Sequence, residues 1–401
     1  MKKILFTICA AAFALCSTAQ NSAITKAQGM LEGGKYQQAL TVLEGAMTNE
    51  KTTKHADVYY WAAQAEFQLF YMEILKASQQ MPFDTTLFCN ALCKTKEYTL
   101  KSHEYDLQPD AKGKAKPHLI EKNQETYKGI IDYMSYPGTM AYQNGDKAKA
   151  REYFQMHSSF LDTDLLPAET IAQLKSERAE EYAQSDYFVT YISSELQDWD
   201  GVISTADKQI NNPKYSRDLM IMKLNAYKQK GDEAGWLAAV KDATLHRQSG
   251  ADYADELVRH YLTKEDVAGA RAQADEMVQQ NPDNKFAWYY NGRVAFLLEQ
   301  KYDAAAEAFA KSRAIDANFP QAYLSEGQCH LQNGINLMTA NRTKNAAKYK
   351  DEFNKALPLL EKYREMQPES VRTWAPNLSL LYENLDQPEK AKEMEDLLRA
   401  Q

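Results

Sequence analysis

Residues 285–319 read KFAWYYNGRVAFLLEQKYDAAAEAFAKSRAIDANF, and this stretch decides the fold. Two amphipathic segments of about a dozen residues flank a polar turn at Glu299-Gln300-Lys301. In the first, Trp288, Gly292 and Phe296 recur every fourth residue, which stacks them on one helix face. In the second, Tyr302, Ala305, Phe309 and Ser312 recur at three and four, and Ile315-Asp316 closes the unit. Gly292 and Ala305 are small where two helices cross, so the backbones approach closely and larger neighbours fill the gap.

The same arrangement recurs along the chain. GGKYQQAL at 33–40 and NGDKAKAREYF at 144–154 each place a glycine turn before an amphipathic helix. Units ending at Asn212-Pro213, Arg247, Pro282 and Pro368 follow, and Gly327 repeats the role of Gly292. With only 16 Gly, 12 Pro and no strand-type alternation, the composition is all-helical. The repeated unit resembles the tetratricopeptide repeat, W-x2-L-G-x2-Y then A-x3-F then P, with a period of about 34 residues. That resemblance implies a right-handed superhelical solenoid of about nine hairpins, forming one array over 20–401. Hairpins in 20–165 read as irregular and extended, and those in 178–401 as more regular.

Several departures from the repeat are expected. The second helix of the second hairpin arrives late, over Asp84 to Tyr105, after QQMPF. A helix from Pro117 to Gln143 is expected to kink or break at Tyr136-Pro137-Gly138, because an internal proline removes a hydrogen bond and clashes with the preceding turn. Thr163 to Glu169 reads as a loop, and an insertion falls near Thr339 to Asn345.

Residues 1–19 have the layout of a secretory signal peptide: Lys2 and Lys3, the apolar run Ile4 to Leu15, then small residues with cleavage near Ala19. Export to the periplasm is therefore expected. A lipoprotein acylated on Cys16 is the rival reading, and Leu15 before it is larger than such sites carry. The apolar run is too short for a stable membrane anchor, and no transmembrane segment is expected later. A leader followed by such an array, with ALPLLEKYREMQPES at 356–370 and PEKAKEMEDLL at 388–398, is similar to exported repeat proteins of Bacteroidetes.

Without Lys2 and Lys3, the 47 basic residues become 45 against 55 acidic ones, a net charge of −10. An acidic chain with no basic patch argues against nucleic acid as a partner. Cys89, Cys93 and Cys329 remain after the leader, too few and too odd for a disulfide framework.

Enzyme chemistry finds no footing in the residues. Gly29 to Lys35 fits G-x-x-x-x-G-K, but Tyr36 replaces the magnesium-binding hydroxyl residue and helices replace the strand, so it reads as a repeat turn. H-E-x-x-H, G-x-S-x-G and C-x-x-C are absent, and the seven histidines are scattered singly. Cys89 and Cys93 share a helix face and could supply half a metal site, yet no nearby ligand completes it, so both read as packed thiols. No catalytic residue, cofactor or metal is assigned.

In tetratricopeptide repeats the first helix of each pair faces a concave groove. Counting from Gly292, the resemblance implies a groove lined by Phe286, Tyr289, Arg293 and Phe296, preceded by Arg259 and by Asn225 and Lys228. Counting from Gly145 adds Tyr142. Tyr, Phe and Arg suit recognition of a protein or peptide, through large contact area and directional polar contacts. A solvated face with no dedicated ligand is the plain alternative. The Lys-and-Asn clamp that holds a C-terminal carboxylate in some family members is not evident. A glycan or small-molecule site in the irregular N-terminal half is the second functional reading, and a closed, aromatic-lined cavity there would favour it.

Overall fold

Asp266 ends one helix and starts another. Its backbone N–H donates to the carbonyl of Tyr261 at 3.0 Å, closing the helix behind it. Its carboxylate accepts the N–H of Gly269 at 2.8 Å, capping the helix ahead. Asp146, Asp198 and Asp232 repeat both contacts at their own turns. The residue before each is left-handed: Gly145, Gln197, Gly231 and Glu265 have φ of 82°, 58°, 69° and 55°. This combines a Schellman C-terminus with an Asp N-cap in two residues, and it reverses the chain with few orphan backbone groups.

The computed structural model describes residues 22–49, 52, 54–109 and 113–400. The leader expected at 1–19 and the acylation alternative at Cys16 lie outside the described residues. Among the described residues the chain is all-α, with no strand. It divides into two compact units, Met1–Met222 and Lys223–Gln401.

The first unit opens with α1 (22–32) and α2 (Tyr36–Met47), then the long pair α3 (His55–Ser78) and α4 (Thr85–Asp106). It continues with α5 (Ile120–Ile130), α6 (Tyr136–Gln143), α7 (Lys147–Ser158), α8 (Ala168–Glu177), α9 (Ala179–Glu195) and α10 (Trp199–Ala206). The late start of α4 is as expected, with Asp84 as its N-cap. Its buried face carries Thr95, Thr99, Ser102 and Asp106. Asp106 accepts the backbone N–H groups of His118 and Leu119, which fixes the entry to α5.

Two expectations need correction here. The break comes before Pro137, through a 3-10 turn at Ile131–Tyr133, and Pro137 stands in the first turn of α6. A proline there has no intrahelical partner to lose, so it begins a helix instead of kinking one. The segment read as a loop to Glu169 is already helical from Ala168, and α8 has no buried residue. Its stripe is only Ile171 and Leu174, half-buried on the core, too narrow to signal a helix.

In the second unit α11 (Ser216–Lys230), which spans the unit boundary, leads into α12 (Glu233–His246). Then come α13 (Gly250–Thr263), α14 (Val267–Gln280), α15 (Lys285–Leu297) and α16 (Tyr302–Ile315). The chain closes with α17 (Pro320–Ala340), α18 (Ala346–Met366), α19 (Val371–Asn384) and α20 (Pro388–Arg399). The insertion near 339–345 is taken up by lengthening α17 and α18 to 21 residues each. First helices of successive pairs touch, α13 on α15 and α17 on α19. Gly292 serves as expected: a Cβ there would lie 2.6 Å from the Phe309 ring, which is fully buried.

Candidate binding surfaces

The first helices α13 and α15 carry most of the residues expected to line a groove. Asn284 caps α15 by accepting the N–H groups of Phe286 and Ala287. Phe286 points into the junction between successive pairs, not out to solvent. Its ring meets Phe319 edge-on at 5.4 Å and fills the space a Cβ on Gly250 would need. Tyr289 is only 4% exposed, between Phe309 and Phe319, with its hydroxyl hydrogen-bonded to Ser325. Burial, then the nearby Asp255 charge, pushes its phenol up to about 12. Phe286 and Tyr289 are therefore core residues that join repeats.

Arg293 stands one turn beyond Tyr289, and its Nε donates to Asp255 of α13 at 2.6 Å. Burial raises the Asp255 carboxyl and Arg293 opposes that rise. Phe296 is half-buried, edge-on to Tyr302 at 5.2 Å. On α13, Glu256 accepts from Arg259 at 2.5 Å and from Lys228 of α11 at 2.7 Å. Lys228 also lies over the Trp236 ring at 5.0 Å, and Asn225 is exposed. Asp255–Arg293 and Lys228–Glu256–Arg259 thus form two adjoining polar groups over an aromatic floor. The acids Asp255 and Glu256 were not anticipated, although the repeat spacing that gives Arg259 reaches them one turn earlier.

Tyr142 belongs to the first unit. Its hydroxyl donates to Glu195 at 3.0 Å beside Tyr191, and these hydrogen bonds, Tyr191 first, push its phenol up to about 12.

A second surface feature lies in the first unit. Ile74, Phe83, Phe88, Tyr133, Tyr136 and Met140 line a hollow of about 220 Å³ that is open to solvent on one side. Glu73 adjoins it, 2% exposed, accepting the Asp84 N–H at 2.7 Å and paired with Lys76. The break before α6 brings Tyr133 and Tyr136 to the hollow, and Phe83 comes from the late start of α4. The aromatic residues at these two irregularities, in QQMPF and DYMSYP, were the available sequence signal.

Among the described residues, no group of three or more His, Cys, Asp and Glu is gathered to hold a metal ion. No helix among them is long and apolar enough to cross a membrane.

Residues 256–318, from within α13 to just past α16, match the tetratricopeptide repeat family. No curated protein matches the chain. Among solved structures it is similar to the TPR2AB domain of yeast Sti1 in complex with pHSP90, at 17% identity and TM-score 0.23, covering 68% of this chain and 92% of that one. It is also similar to the P58(IPK) TPR domain, at 12% identity and TM-score 0.33, covering 92% and 98%. A further likeness is to the APC/C hetero-tetramer Cut9–Hcn1, at 15% identity and TM-score 0.24, covering 93% and 79%. The matched repeat is flanked on both sides by further helical pairs. Residues 256–318 thus carry a tetratricopeptide repeat, set among paired helices of an all-α chain, and that repeat fold in general supports protein–protein contact.

Proposed function

We propose that the protein is an exported, non-catalytic scaffold that binds a protein or peptide across the first-helix face of α13 and α15. One observation carries this reading. Within the matched repeat, Arg259 and Leu262 lie three residues apart on α13, with the Arg259 side chain 69% and Leu262 56% exposed. A large apolar side chain held open beside organised charges is the pairing that peptide-binding faces use. Export rests on the leader pattern at 1–19.

The test is a cross-linking pull-down from cells expressing the chain with its own leader. Recovery of specific envelope proteins, reduced by Arg259→Glu or Leu262→Ser at unchanged helicity, supports the reading. Undiminished recovery with both variants would remove this face from the proposal.

We propose as a second reading a small molecule or glycan bound at the open aromatic hollow of the first unit, which is not the closed cavity expected from the sequence. Its walls offer ring faces for stacking, and its volume suits a ring-sized group. Screening sugars and ring-bearing small molecules by thermal shift, against Tyr136→Ala, tests it. A stabilising ligand that keeps its effect in Tyr136→Ala would place the site elsewhere.

A further inference from the structure

Two sulfur atoms from different helices meet in the first unit. The Cys89 Sγ of α4 lies 3.7 Å from the Met140 Sδ of α6. Cys93 is one helical turn beyond Cys89 on the same face, where Cβ atoms are about 5–6 Å apart. It packs against the same core as Met140 and Met156 of α7. The two thiols are close enough to influence each other electrostatically. Cys89 and Met140 are thus in contact, and Cys93, one turn along α4, borders an adjoining hollow together with Met156.

The spacing has the geometry of chelation. With metal–sulfur bonds of about 2.3 Å, two sulfurs separated by 3.7 Å subtend about 107° at a shared ion. That angle lies near the tetrahedral value, so Cys89 and Met140 could bind one ion with little backbone movement. Thiol and thioether donors together select a soft monovalent ion, because a thioether is a poor ligand for hard or borderline divalent metals. A hollow of about 180 Å³ lined by Cys89, Met140, Asn144, Lys149 and Tyr153 gives a path from solvent. Lys149 also borders the adjoining hollow beside Cys93 and Met156. Its ammonium is placed to offset the negative charge of two thiolates sharing one monovalent cation.

We propose that Cys89, Cys93 and Met140, with Met156 at the edge, form a binding site for Cu(I). Binding converts both thiols to thiolates and releases two protons, with no change of oxidation state. In the metal-free chain, burial pushes the Cys89 and Cys93 thiols up to about 11 and about 12. Because both thiols must lose their protons to bind, affinity rises with pH.

The test is an anaerobic titration of the reduced full chain with Cu(I) against a chromogenic chelator such as bathocuproine disulfonate, with Zn(II) as the control ion. One equivalent of Cu(I) should be withdrawn, with X-ray absorption showing sulfur neighbours only. Cys89→Ser and Cys93→Ser should each weaken binding at least a hundredfold. Met140→Leu, which conserves volume and fold, should weaken it at least tenfold at unchanged circular dichroism. Failure to withdraw Cu(I), or an affinity unchanged in Met140→Leu, overturns the site. Binding that survives both serine variants, through buried Cys329 for example, overturns it equally.

Discussion

The ring of Phe309 occupies the space that a side chain on Gly292 would need, with three ring carbons 2.6 to 2.8 Å from that position. Phe154 stands in the same relation to Gly138, at 2.8 Å and slightly more. Two helices of a pair therefore approach through a glycine on the first and an aromatic ring on the second. Gly292→Ala should cost about 1–3 kcal/mol, because the ring is fully buried and has nowhere to move. Urea unfolding followed by tryptophan fluorescence would measure it, and Phe309→Leu added to Gly292→Ala should recover part of the loss. Additive losses would show that the clash is not the cause.

The turn before α14 holds Glu265 at φ 55°, a left-handed conformation that costs a side-chain-bearing residue energy. Glu265→Gly should stabilise the chain by about 0.5–1 kcal/mol, the residual after glycine's greater freedom when unfolded. Asp266→Ala should lose about 1 kcal/mol with the N-cap. Thermal melts of the two variants should move in opposite directions.

His157 is 1% exposed and hydrogen-bonded to Ser185 at 2.7 Å. Burial first, then the charges of Arg178 and Lys96, lowers it from its ordinary 6.5 to about 4. The unfolded chain therefore takes up this proton below pH 6.5, and the folded chain only near pH 4. Stability attributable to His157 is present above pH 6.5 and falls as pH drops towards 4. The full loss is about 3 kcal/mol, at ~1.4 kcal/mol per unit. His157→Gln should be destabilised at pH 7 yet close much of its gap to the native chain at pH 4.5. A gap that stays constant between the two pH values would contradict the assignment.

Tyr289 and Arg259 should separate packing from recognition. Tyr289→Ala removes a buried ring from between two others and should cost about 3 kcal/mol in urea unfolding. Arg259→Glu, on an exposed side chain, should leave stability within about 0.5 kcal/mol while reducing capture of a partner. Arg293→Gln falls between them: it leaves the Asp255 carboxylate without its guanidinium and should cost about 1 kcal/mol.

The helices and turns were legible because their causes are local. Gly145-Asp146 and Gly231-Asp232 announce themselves within two residues, and Gly292 with Phe309 follows from spacing inside one unit. The groove was legible only in part. Spacing assigns Phe286 and Tyr289 to a first-helix face, but Phe319 and Ser325, from the following unit, decide that they are buried. The aromatic hollow and the Cys89–Met140 contact depend on where the chain breaks before α6, and their residues lie up to 66 positions apart, from Ile74 to Met140. Periodicity has no access to such pairings.

The turn aspartates have a consequence for how this chain can change length. Asp146, Asp198, Asp232 and Asp266 each satisfy the end of one helix and the start of the next with their own atoms. Nothing outside the helical pair is needed to form the bend. A pair can therefore be duplicated, lost or lengthened, as α17 and α18 have been, without redesigning the corners that remain. Growth by whole pairs is inexpensive for such a protein, and its binding face can be extended without dismantling what came before.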